Sequence, residues 1–205
     1  MLHMKQVSKR FTLHHQNGAE LQVLSHVDLS VGPGECVVLD GPSGMGKSTL
    51  IRTLLGHVTQ RDGHISLFGH DISKARPHEV ARLGVAYVPE GRGIFGNLTV
   101  RENLELGSYA SGDYDWDPVT TFFPKLQILM DRKAGHLSGG ERQMLMIGRA
   151  ILGKPKVLLI DEPTEGLAPS IVTHLKHVFT ELSKSASILI VEQNLPLVCA
   201  ISNRI

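Results

Sequence analysis

Apolar and polar residues alternate through residues 4–31, with Val7, Phe11, Leu13, Leu21, Val23, Val27, Leu29 and Val31 at the apolar positions. A period of two puts these side chains on one face of extended chain, and Asn17-Gly18 has the chemistry of a hairpin turn. Antiparallel strands are predicted there. Gly32-Pro33-Gly34 is a second turn, feeding a short apolar run at 36–40. Residues 50–55 then suit a helix that stops at Gly56. Arg61-Asp62-Gly63 predicts a turn into a strand over 64–68, stopped at Gly69. A helix over 77–83 and a strand over 85–88 follow, closed by Pro89.

Between about 90 and 140 the pattern turns helical, with helices predicted over 100–106 and 122–130 and a polar loop over 109–118 between them. A helix over 141–152 places Met144, Ile147 and Ile151 on one face before Gly153-Lys154-Pro155 breaks it. The uninterrupted apolar runs 157–160 and 187–191 read as strands buried on both faces, with a helix over 171–182 between them. Alternating strands and helices make the fold class α/β. With residues 41–49 fitting the P-loop pattern G-x-x-x-x-G-K-[ST], the expected architecture is a P-loop NTPase core with a mainly parallel sheet, an N-terminal antiparallel β subdomain and a helical insertion. It is expected to form one domain over 1–205, with residues 90–140 as a helical subdomain.

The stretch Gly41-Pro42-Ser43-Gly44-Met45-Gly46-Lys47-Ser48-Thr49 fits the phosphate-binding pattern G-x-x-x-x-G-K-[ST], with a predicted strand before it and a predicted helix after it. Gly41, Gly44 and Gly46 let backbone N–H groups approach phosphate oxygens. The new helix aims its N-terminal dipole at the same anion. Lys47 supplies charge to the β- and γ-phosphates, Ser48 a hydroxyl to Mg²⁺, and Thr49 a second hydroxyl to a neighbouring phosphate. Downstream, the 157–160 run ends in Asp161-Glu162. A carboxylate at the end of a strand beside the P-loop strand suits Asp161 to the Mg²⁺ shell, and Glu162 can act as general base on water.

Composition removes several other classes. A net charge of +1 gives no electrostatic case for nucleic acid or an anionic membrane surface. The eleven histidines are scattered, without metal-ligand spacing. Two cysteines far apart in sequence fit a reduced compartment. Residues 1–11 lack the apolar run of a signal peptide, and no segment has the ~20 apolar residues of a membrane span. A membrane role would therefore run through a partner.

Leu137-Ser138-Gly139-Gly140-Glu141-Arg142-Gln143 can be read as a capped helix start, Ser138 and Glu141 forming a capping box. The same turn offers bare N–H groups to an anion. The stretch resembles the signature motif of the ABC transporter ATPases, and the order of P-loop, signature, Val157-Leu158-Leu159-Ile160-Asp161-Glu162-Pro163 and a late strand resembles that family along essentially the whole chain. The resemblance implies a Mg-dependent ATPase subunit working as a homo- or heterodimer. ATP would lie between the P-loop of one subunit and Ser138, Gly139, Gly140 and Glu141 of the other. Phe11 stands where the family has an aromatic that stacks on adenine. Glu90, where most members carry Gln, would lie at the metal and nucleotide. Gln193, where most carry His, would contact the γ-phosphate or attacking water.

Val88-Pro89-Glu90-Gly91-Arg92-Gly93-Ile94-Phe95, Leu98-Thr99-Val100-Arg101-Glu102-Asn103-Leu104, Glu165-Gly166-Leu167-Ala168-Pro169 and Val191-Glu192-Gln193-Asn194 resemble, more narrowly, the ATPase subunits of branched-chain amino acid importers. That likeness implies permease subunits in the membrane, a periplasmic solute-binding protein and a peripheral place on the cytoplasmic face. Urea and short-amide importers share similar motifs, and residues 11–35 are more like an accessory ABC ATPase of phosphonate metabolism. The chain ends at Arg204-Ile205, which resembles the start of a further strand, so a truncated C-terminus is expected. Rival expectations are a soluble ABC-type nucleotide switch and a P-loop kinase; the kinase gives residues 137–143 no role.

Overall fold

The computed structural model describes residues 1–13, 18–58, 62–91, 93–109, 112–194, 197, 199, 201–202 and 204. Asn17 and Arg61, expected in turns, lie outside the described residues. Strands β1 (Leu2–Leu13) and β2 (Ala19–Val31) pair antiparallel, and Gly18 enters β2 with φ +77°. Register shifts between Met4 and Arg10 interrupt the ladder, so the alternation is not strict. Strand β3 (Cys36–Leu39) precedes the glycine loop, and helix α1 (Lys47–Leu54) follows it. Then come β4 (Asp62–Leu67), β5 (His70–Asp71), α2 (Pro77–Arg82) and β6 (Val85–Val88). Helices α3 (Val100–Tyr109), α4 (Asp117–Phe122) and α5 (Pro124–Gln127) lead to α6 (Gly139–Leu152). Strand β7 (Val157–Asp161), helix α7 (Pro169–Leu182) and strand β8 (Ser187–Val191) complete the order.

Two four-stranded sheets result. One is antiparallel, ordered β2-β1-β4-β5. The other is parallel, ordered β3-β8-β7-β6. The Asp161 strand was expected beside the P-loop strand; instead β8 lies between them. Buried apolar runs carry no signal about neighbour order. On the parallel strands, alternate residues serve two cores. Leu158, Ile160, Ile188 and Ile190 face α6, α7 and the helical segment. Val157, Leu159, Leu189 and Val191 face α1, α2 and the antiparallel sheet.

Three other expectations are corrected. The turn expected at Asp62-Gly63 is already strand, and Gly63 is required because a Cβ there would lie 2.4 Å from the Gln6 carbonyl oxygen. The helix expected over 122–130 is cut down to α5 (Pro124–Gln127): Phe122 ends α4, Phe123 leaves helical geometry (ψ 68°) ahead of Pro124, and residues 128–130 are turn. The loop expected over 109–118 already contains the first residues of α4. Helices α3, α4 and α5 close on α6 where small residues permit it: a Cβ on Gly148 would meet Val119 at 2.9 Å, and one on Gly107 the Arg149 carbonyl oxygen at 2.6 Å. At the other edge of the parallel sheet the Val38 N–H donates to the Arg204 carbonyl at 3.0 Å.

Candidate functional site: the C-terminal edge of the parallel sheet

The loop between β3 and α1 needs its glycines. Gly41, Gly44 and Gly46 have φ of +147°, +83° and +88°, and a Cβ on Gly46 would also lie 2.8 Å from Val23 Cγ1. Gly46 occupies the N-cap of α1 without a side-chain cap, and no acid stands in the first turn. The first N–H groups and the dipole are thus left for an anion. Lys47 folds back over the loop. Its Nζ donates to the Gly41 and Pro42 carbonyls, the second at 2.9 Å, and lies 3.9 Å from Glu162 Oε1. Ser43 and Met45 stand exposed at the loop's tip.

The acids come from the end of β7, Asp161 as its last residue and Glu162 directly after it. Asp161 is 1% exposed and accepts the Ser48 hydroxyl on Oδ1 at 3.0 Å and the Tyr87 hydroxyl on Oδ2 at 3.3 Å. Burial pushes its carboxyl upward, against the lowering effect of those two hydrogen bonds. Burial also raises the Tyr87 phenol, to about 12, with Asp161 adding to the effect. Glu162 sits in left-handed backbone (φ +45°), and its N–H donates to the Val191 carbonyl at 2.9 Å. Such a conformation costs a non-glycine residue on the order of 1–3 kcal/mol and persists where the surroundings fix it. It turns Glu162 back toward Lys47 and the end of β8.

At that end, Gln193 Nε2 donates to Glu162 Oε1 at 2.8 Å. Sequence reasoning passed over its neighbour Glu192, which is 4% exposed. Glu192 Oε1 accepts the N–H groups of Gln193 (2.8 Å) and Asn194 (3.0 Å). Its Oε2 accepts the Thr164 N–H (3.2 Å) and hydroxyl (2.7 Å). One buried carboxylate thus ties the Gln193 turn to the segment after Glu162. An acid directly after an apolar strand, at the edge where ligands bind in open α/β sheets, was the available signal.

Glu90 follows β6 at this same edge and is exposed. Phe11 is 36% exposed, with Lys9 Nζ 4.7 Å above its ring. It lines a cavity of about 460 Å³ with Thr49, Arg52, His57, Val58, Tyr87 and Pro89. Phe11 and the P-loop helix therefore share one opening.

Ser138 to Glu141 form a separate group. The Glu141 N–H donates to Ser138 Oγ (3.3 Å) and the Ser138 N–H to Glu141 Oε2 (2.8 Å), completing the capping box. Lys125 Nζ holds Glu141 Oε1 at 2.8 Å. That bond, with the Ser138 N–H, draws the Glu141 carboxyl down to about 2. Ser138 and Gly139 are exposed, and Gly140 packs so that a Cβ would lie 3.2 Å from Ile171. Among the described residues, no hydrogen bond or ion pair joins 137–142 to the P-loop.

A glycine loop, a lysine over it and paired acids at the sheet edge define a P-loop nucleotide hydrolase. Comparison narrows the class. The sequence profile described as ABC transporter matches residues 24–165, so the chain belongs to the ABC transporter ATP-binding family. It binds and hydrolyses ATP. The chain is 41% identical over 180 residues to the high-affinity branched-chain amino acid transport ATP-binding protein BraG of Pseudomonas aeruginosa, covering 85% of this chain and 77% of BraG. Identity to the probable branched-chain amino acid transport ATP-binding protein LivF of Archaeoglobus fulgidus is 38%, with coverage of 90% and 80%. Identity to the lipopolysaccharide export system ATP-binding protein LptB of Haemophilus influenzae is 35%, with coverage of 84% and 75%. A solved ATP-binding subunit of an ABC transporter superposes with a TM-score of 0.84 at 30% identity, covering 99% of this chain and 83% of that one.

Proposed function

We propose that this subunit powers uptake of branched-chain amino acids or a similar small polar solute. The support for this solute class is the naming of BraG and LivF together with Glu90 and Gln193 at their positions. Lys47 and the α1 N-terminus bind the β- and γ-phosphates. Glu162 takes the proton of the attacking water, and Gln193, 2.8 Å from Glu162 Oε1, orients that base and donates to phosphate oxygen. The Glu162–Gln193 hydrogen bond beside Lys47 is the observation that carries the hydrolytic part.

Ser48 and Asp161 fit Mg²⁺, being hard oxygen donors 3.0 Å apart at a buried carboxylate, with Glu90 near the same edge. Among the described residues no three His, Cys, Asp or Glu side chains cluster as a metal cage. The ion, when bound, neutralises charge on the β- and γ-phosphates.

Ser138 to Glu141 serve the nucleotide of a second copy or a paralogous subunit, since they stand apart from the P-loop of their own chain. We treat residues 1–205 as one nucleotide-binding domain whose helical part, 90–140, moves on the sheet core. No helix of the described residues is long and apolar enough to cross a membrane. Attachment at the cytoplasmic face is assigned to permease subunits, with a periplasmic solute-binding protein completing the system. Phe95 is 55% exposed and lines a groove of about 620 Å³ with Leu106 and Arg149, which suits a cytoplasmic helix of the permease. Ile94 instead packs on the core. A Phe95→Cys cross-link to a coexpressed permease tests the groove.

The substrate is tested by reconstituting the subunit with its permease partners in proteoliposomes and measuring ATP-driven uptake of labelled leucine against urea. Leucine uptake supports the reading, and uptake of urea alone replaces it. The likeness to LptB favours a second reading, export of lipopolysaccharide, in which neither solute moves. Purification without any membrane protein favours a soluble nucleotide switch.

A further inference from the structure

We propose that Tyr87 is a positioning residue for ATP hydrolysis, fixing the Asp161 carboxylate in the orientation that receives the metal ion. The inference rests on Asp161 as metal carboxylate. Asp161 is the last residue of β7, nearly free of solvent, and its two oxygens are held from two different elements. Ser48 on α1 donates to Oδ1, and Tyr87 on β6 donates to Oδ2. Ser48 is itself a candidate metal ligand, so its hydroxyl is not a dedicated support. Tyr87 is outside the candidate ligand set, and its hydroxyl is free to hold the other oxygen whatever Ser48 does.

The parallel ladder sets the phenol in place. Tyr87 is opposite Leu159 and Val88 opposite Ile160, so the β6 ring reaches diagonally to a carboxylate two residues further along β7. Arg52, on α1, lines the same cavity as Tyr87. Partners that orient metal ligands typically change metal affinity or activity by about 10–100-fold when removed.

Tyr87→Phe keeps the ring and removes only the hydroxyl; its melting temperature checks that the fold is kept. Wild type, Tyr87→Phe and Asp161→Asn are compared by electron paramagnetic resonance of Mn²⁺ titrated into protein saturated with a non-hydrolysable ATP analogue. Affinity for the analogue is measured separately in EDTA. Expected for Tyr87→Phe is Mn²⁺ affinity lower by about tenfold, with metal-free affinity within about twofold. A packing role would lower both together, and that result overturns the proposal. Unchanged Mn²⁺ affinity in Tyr87→Phe, with loss in Asp161→Asn, overturns it while sparing the metal assignment. Unchanged affinity in Asp161→Asn removes both.

Discussion

The chain opens two helices on glycine-rich turns, and leaves them in opposite states. Helix α1 begins at Gly46 with no capping side chain and no acid in its first turn. Helix α6 begins at Ser138 with a complete capping box and Glu141 in its first turn. The first turn is wired to its surroundings through Lys47–Glu162 and Ser48–Asp161. The second is wired mainly to itself and to Lys125. A bare helix start awaits an anion, whereas a capped one is finished before any ligand arrives. The capped turn still has something to give: Ser138 Oγ accepts from Glu141 but keeps its own hydrogen to donate. Lys125 offsets the negative charge that Glu141 would otherwise place beside an incoming phosphate. The first turn is thus assembled within the chain, and the second is exposed; in the proposed function they are the assembled and the presented half of a shared site.

The sharpest way to break this comparison is at the assembled half. Glu162→Gln should keep ATP binding and lower single-turnover hydrolysis by at least about 10²-fold, the scale of a lost general base. Near-normal turnover would remove Glu162 from the mechanism. Size-exclusion chromatography of the same variant with ATP should show a closed dimer, because the sandwich forms and is not hydrolysed.

Lys47→Ala should weaken binding of a fluorescent ATP analogue by about 10–100-fold, the scale of one or two charge-assisted hydrogen bonds. Paired with the presented half, the variant also tests geometry. Lys47→Ala and Ser138→Arg are each expected to be inactive alone. In a mixed dimer, one composite site carries both changes and the other carries neither. Each mixed dimer should therefore turn over at about half the wild-type rate, and a 1:1 mixture, in which about half of the dimers are mixed, should recover about a quarter of wild-type turnover. No recovery at any ratio would mean that Ser138 serves its own chain or that the physiological partner is a different subunit.

Much of the assembled half was legible because its signals are local. The glycine spacing with Lys47, and the carboxylates at the end of a buried strand, are each runs of adjacent residues, and the strands at 85–88 and 187–191 match the apolar runs, the second because both of its faces are buried. What was not legible depends on neighbours distant in sequence. The insertion of β8 between β3 and β7 leaves no trace in any run. Tyr87 and Glu192 act through partners 74 and 28 residues away. Pro124 was visible, yet an apolar period running through it concealed the break between α4 and α5. The capping box of α6 was read correctly, since it too is a pattern of adjacent residues.

Gln193 sharpens the comparison more gently. Its amide is held to Glu162 and its backbone N–H to Glu192, so Gln193→Ala removes an orienting contact without disturbing the turn. Single-turnover hydrolysis should fall by about tenfold, less than for the base itself, with ATP affinity retained. A glutamine does not titrate, so the ratio of variant to wild-type rate should stay constant from about pH 5.5 to 8, across the ordinary histidine range. Wild-type rates in the variant at every pH would end its assignment.

The smallest effect is expected at the capped turn. Lys125 and the Ser138 N–H hold the Glu141 carboxyl down at about 2, against an ordinary value of 4.5. A depressed carboxyl stabilises the fold above its unfolded-state value. That contribution is fully present near neutral pH and is lost as pH falls from about 4.5 toward about 2. Lys125 is 57% exposed, so water and salt screen the pair. Lys125→Ala should therefore lower the melting temperature near neutral pH by no more than about 3 °C. The difference from wild type should shrink toward pH 2 and in high salt, because protonation or screening removes the same attraction. A difference independent of both pH and salt would assign Lys125 to packing, leaving the Glu141 charge to be offset by the incoming partner.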